Sequence, residues 1–148
     1  MRKILFLDFD GVLHPDGVGL FSKLSLFEQY VIGMSELEII ISSSWRETHS
    51  FEELKNIFPV SLRDKILGIT PTLEDGYDSG GRQREIELFL EAASLNHTNA
   101  SWVALDDMQS FFNHDCPFLI LTKSDTGFCE KNGLTLQEWY RNSTPDFL

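Results

Sequence analysis

The chain has 148 residues, 42% of them hydrophobic, and a formal net charge of −11. That length suits one globular domain with a real core, and the acid excess excludes a non-specific nucleic-acid binder, which gathers Lys and Arg against phosphates. Cys116 and Cys129 lack zinc spacing and offer no disulfide framework, so free thiols in a cytoplasmic protein are expected.

Residues 4–7 form an apolar run, the pattern of a strand covered on both faces. Asp8 and Asp10 break the run after Arg2 and Lys3, so it is neither a signal peptide nor a membrane span, and no membrane partner is expected. Burying unpaired acids costs several kcal/mol, so a cation is expected beside them, and a hard metal ion is the simplest. Gly11 permits a sharp turn there. His14 follows the first motif and precedes Pro15, so it reads as a turn residue or a ligand contact.

Residues 20–34 carry Leu20, Leu24, Phe27, Val31 and Met34 at helical spacing. Residues 37–41 are a second buried strand ending in Ser42-Ser43-Ser44. Ser50 and Glu53 make a capping box for a helix burying Phe51, Leu54, Ile57 and Phe58, stopped by Pro59. Residues 65–69 are a short third strand and residues 70–81 a loop rich in Gly, Asp, Thr and Pro. Residues 85–93 predict a helix with Ile86, Phe89, Leu90 and Ala93 on one side. Residues 102–105 form a fourth strand ending in Asp106-Asp107. Met108, Phe111 and Phe112 suit a short helix, and residues 118–121 a fifth strand. Thr135 with Glu138 caps a last helix carrying Leu136, Trp139 and Tyr140, and residues 142–148 read as a loosely held tail.

Strands alternating with helices predict a three-layer α/β domain over residues 1–148, with a five-stranded, mostly parallel, Rossmann-like sheet. Ligands of such sheets bind beyond the strands' carboxyl ends. Asp8 and Asp10, Ser42 to Ser44, and Asp106 with Asp107 all fall at that edge. One Asp of the first pair can serve as nucleophile and the other as proton donor and acceptor. A divalent ion resolves their repulsion for each other and for a phosphate. Taken alone, Asp-x-Asp-Gly is a common turn resembling part of a calcium loop, but no bidentate Glu follows at the required distance.

The ordered motifs resemble the haloacid dehalogenase (HAD) phosphohydrolases. The first is Leu7 to Leu13, the second residues 39–44, the third the region of Arg82, and the fourth Ala104 to Asp107. Asp10 to His14, Ser42 to Arg46, Arg82 to Ile86, Leu105 to Asp107 and Gly133 to Thr135 further resemble the small HAD domains of Swiss Army Knife RNA-repair proteins. The resemblance implies Mg²⁺ and an aspartyl-phosphate on Asp8. Asp10 then handles the proton and lends its backbone carbonyl to the metal, and Ser43 holds a phosphoryl oxygen with the amide of Ser44. Arg82 steadies the charge, and Asp107 with Asp106 completes the metal shell. Arg84 competes for the third motif, with Lys123 a weaker rival, and Arg46 can meet a substrate phosphate or cover Trp45. Trp45 and Trp102 read as core, and Tyr77 covers either the site or the core. With no room for a large cap, the site is expected to be open. The substrate is then a phosphate on a nucleic-acid end or a small phosphoester, with a non-catalytic binding module as the rival of another class.

Overall fold

A computed structural model describes residues 1–143. Its sheet has five parallel strands in the order β3-β2-β1-β4-β5, namely β1 Arg2–Leu7, β2 Leu37–Ile41, β3 Ile66–Ile69, β4 Ala100–Asp106 and β5 Leu119–Leu121. The expected α/β fold is therefore present, with every strand pairing parallel.

The strand residues alternate between two cores, as the period of two requires. Leu5, Leu7, Ile39 and Ile41 face one core; Ile4, Phe6 and Ile40 face the other. The first core includes Phe27 and Val31 of α1 (Leu24–Val31), Leu54 of α2 (Phe51–Ile57), Leu62 of α3 (Val60–Arg63) and Leu136 of α5 (Glu130–Asn142). The second takes Ile86 and Leu90 of α4 (Gly81–Ala92). Among the described residues no insertion larger than a loop interrupts this plan, so the domain is without a large cap.

Four helix boundaries differ from the periodicity. α1 starts at Leu24, not Leu20, which is 71% exposed in the preceding flap. α3 follows Pro59 directly, because Pro stops α2 yet is well placed to start a new turn. α4 starts at Gly81, four residues before Glu85, so Arg82 lies in its first turn. A Cβ at Gly81 would sit 2.2 Å from the Gly76 carbonyl, so only glycine fits where the loop crosses the helix. The last helix starts at Glu130, not Thr135. Cys129 is its cap, donating its amide to Asn132 Oδ1 at 2.9 Å, while Thr135 Oγ1 bonds back to Lys131 O inside the helix. Gly133 is interior to α5, where a Cβ would meet the Tyr30 ring at 2.5 Å. Of the tail read as loose, residue 142 ends α5 and residues 144–148 lie outside the described residues.

Candidate active site

Parallel pairing lines up the strand ends. Ser42 donates its amide to Leu7 O, Asp8 to Leu105 O, Thr70 to Ile41 O and Thr122 to Asp106 O. Asp8 and Asp106 therefore leave neighbouring strands on either side of the point where strand order reverses, the place where such sheets bind ligands.

Asp8, Asp106 and Asp107 each bring a carboxylate oxygen within 4.8 Å of the others. Arg82 threads into this group: its Nη1 lies 3.3 Å from Asp8 Oδ1 and 2.8 Å from Asp106 Oδ2. Arg84 instead pairs with Asp75 at 2.9 Å and donates to Ser79 O. The third-motif position in contact with Asp8 is thus Arg82. Burial pushes the Asp8 carboxyl well above the usual carboxylate range; Asp106 adds to the rise, Arg82 opposes it and Asp107 adds again. Asp106 shifts the same way through burial, against its bonds to Arg82 and the Met108 amide. For Arg82, burial lowers the affinity for its proton, but Asp8 and then Asp106 outweigh it.

Three acids and one guanidinium leave a net charge of about −2 in a water-poor corner. Burial of that charge is costly, and a hard divalent ion with oxygen ligands would cancel it. The donor set therefore fits Mg²⁺, which Asp8, Asp106 and Asp107 would hold. Asp107 is the more accessible acid of the β4 pair and accepts from Ser124 Oγ at 2.6 Å; Asp106 is fully buried. Gly11, at φ +77°, is set against Asp107: a Cβ there would lie 2.1 Å from Asp107 Oδ2. Gly11→Ala is expected to displace that carboxylate, weakening Mg²⁺ binding at least tenfold by calorimetry and costing about 1–3 kcal/mol in a denaturant melt.

Asp10 stands apart from the acid group. Its side chain is 43% exposed, and its two oxygens meet His14 Nε2 at 2.7 Å and Trp45 Nε1 at 3.1 Å. Neither ring is a mere filler. The available signal for each ring was its place in a motif, His14 in Asp10 to His14 and Trp45 in Ser42 to Arg46.

Ser43 is buried and caps the 3-10 turn Ser44–Glu47, its Oγ accepting the Trp45 amide at 3.2 Å. Ser44, Trp45, Glu47, His49 and Tyr77 line an open groove of about 450 Å³ beside Asp10. Tyr77 caps it with a hydrogen bond to Glu47.

Arg46 does not reach out to a ligand. It donates to the carbonyls of Ser42, Ser43, Thr70 and Pro71 and pairs with buried Glu85 at 2.8 Å. Glu85 Oε2 in turn accepts the Leu73 amide at 2.9 Å. The pair ties the Ser turn, α4 and the loop over residues 70–80 together, which corrects the substrate-binding expectation. A guanidinium with four carbonyls and one carboxylate is already saturated.

Among the described residues no helix is long and apolar enough to cross a membrane. No curated protein and no solved structure matches the chain. Residues 4–132 match the family described as the HAD domain in Swiss Army Knife RNA repair proteins. That match spans both Asp motifs, the Ser turn and Arg82, and the chain belongs to this HAD domain family.

Proposed function

We propose that the chain is a Mg²⁺-dependent phosphomonoester hydrolase working through an aspartyl-phosphate. The observation that carries this reading is the asymmetry of the first motif. Asp8 is buried in the acid group against Arg82, while Asp10 is turned out of it toward the open groove.

An Asp8 oxygen forms the new bond to phosphorus as the bond to the leaving oxygen breaks, and Asp10 gives that oxygen its proton. Water then attacks phosphorus, Asp10 takes the proton back, and Asp8 is released with phosphate. Arg82 offsets negative charge along this path through Nη1, which lies 3.3 Å from Asp8 Oδ1. Ser43 and the Ser44 amide are the proposed holders of a phosphoryl oxygen. The metal, when bound, would neutralise carboxylate and phosphoryl charge together.

The family supports a phosphate at an RNA end as substrate. A second reading, a nucleotidase or small-metabolite phosphatase, is favoured by the groove itself. Its volume is of small-ligand size, Glu47 and Asp10 line it, and no Lys or Arg does, so it holds little for a polyanionic strand. The deciding assay offers Mg²⁺ with oligonucleotides bearing 3′- or 5′-phosphates, mononucleotides and metabolite phosphoesters. Mg²⁺-dependent phosphate release is expected. Release from oligonucleotide ends supports the first reading, release from mononucleotides alone the second, and none on any ester sinks both.

A further inference from the structure

We propose that His14 and Trp45 are positioning residues that fix the Asp10 carboxylate for proton transfer to the leaving group; this rests on the phosphatase reading above. The donor chemistry leaves one arrangement. The Phe21 backbone N–H points at His14 Nδ1 at 3.1 Å. A backbone N–H only donates, so Nδ1 carries a lone pair, the ring is neutral and its hydrogen sits on Nε2. That hydrogen goes to Asp10 Oδ1 at 2.7 Å. The indole of Trp45 also only donates, and its Nε1–H goes to Asp10 Oδ2. Each carboxylate oxygen thus takes one N–H from a fixed ring and keeps a further lone pair for the proton in transit.

Both rings are held by aromatic contacts. His14 is 1% exposed and meets Phe21 edge-on with centroids 5.0 Å apart. Phe21 meets Trp45 at 5.3 Å, Phe9 touches both, and His49 stacks on Trp45 at 5.0 Å and 19°. Phe21 reaches this place at φ +56°, a left-handed backbone that non-glycine residues seldom adopt. The flap accepts that strain while its amide fixes the imidazole tautomer. A half-exposed Asp without these donors would sample many rotamers, whereas proton transfer requires hydrogen-bond reach in one of them.

The test separates orientation from folding by leaving group. A nitrophenolate departs without help, whereas an alkoxide needs a proton from Asp10. Steady-state kinetics with p-nitrophenyl phosphate and glycerol 2-phosphate would compare wild type, His14→Phe, His14→Gln and Trp45→Phe. Loss of kcat on the alkyl ester is expected to exceed the loss on the aryl ester at least tenfold for His14→Phe and Trp45→Phe, with partial recovery in His14→Gln, which retains an N–H donor. Trp45→Phe keeps an aromatic ring and answers the question if His14→Phe folds poorly. Equal losses on both esters overturn the proposal. Long-range ¹H–¹⁵N spectra of the wild type should show the Nε2–H tautomer at His14; an Nδ1–H tautomer or an imidazolium also overturns it. A wild type inert on these two esters and on the oligonucleotide, nucleotide and metabolite esters above fells the phosphatase reading, and the imidazole spectrum then still decides the orienting contact.

Discussion

Asp8→Asn is expected to abolish turnover, by about 10⁴-fold or more, and yet to melt higher than the wild type in metal-free buffer at neutral pH. Asp8 is only 5% exposed, and burial with Asp106 beside it raises its pKa in the folded state. The folded protein therefore holds its proton more tightly than the unfolded chain does. Stability then falls as pH rises from the unfolded carboxylate value through the raised folded value, and it is lowest above that window. Asp106 adds a contribution of the same sign. Asparagine keeps the shape of Asp8 and removes the buried charge, so a gain of about 1–2 kcal/mol, or roughly 3–6 °C for a chain of this size, should appear. Mg²⁺ should invert the order, because the ion stabilises a site that still holds all its acids and does less for the Asp8→Asn variant. Thermal melts of both proteins in EDTA and in Mg²⁺, between mildly acidic and neutral pH, check every sign. A less stable Asp8→Asn in EDTA at neutral pH would refute the account of Asp8 as a buried, strained charge.

What the sequence disclosed follows from how local each signal is. Asp8 and Asp106 were legible because each ends an apolar run, and parallel pairing then carries both to one edge. The strands were legible because their cores alternate with period two, as Leu5 and Leu7 against Ile4 and Phe6 show. The start of α4 was hidden because Gly81-Arg82-Gln83 has no apolar periodicity; its burial comes from the loop that folds back over it. Gly133 falls ahead of the helix that a Thr135 cap predicts, whereas it lies inside α5 as the flat spot that receives Tyr30. Arg46 read as a surface or ligand-binding side chain because its partner, Glu85, lies far along the chain. His14 stayed between a turn residue and a ligand contact because its meaning depends on an amide that the flap delivers from Phe21. Each failure concerns a contact made by tertiary closure, which no local pattern records.

Arg82→Ala is expected to be the most destabilising single substitution at the site, by about 3–5 kcal/mol, because it strips the only described cation in contact with Asp8 and Asp106 and leaves their charge buried. The guanidinium also lies 5.0 Å from the Phe111 ring, so packing is lost with the charge. The acids can respond only by taking protons, and the deficit should therefore shrink as pH falls and grow toward neutrality. Arg84→Ala is the matched control. Its pair with Asp75 is exposed, at 41% and 54%, and its loss should stay within about 0.5 kcal/mol. Urea denaturation in EDTA measures both. A double variant, Asp8→Asn with Arg82→Ala, sharpens the argument. If Arg82 acts mainly by compensating Asp8 and Asp106, removing the Asp8 charge in the Arg82→Ala background should restore about 1–2 kcal/mol more than Asp8→Asn gains in the wild-type background. Strict additivity would mean that Arg82 supports the fold through packing, and the electrostatic reading of its contact with Asp8 would fall.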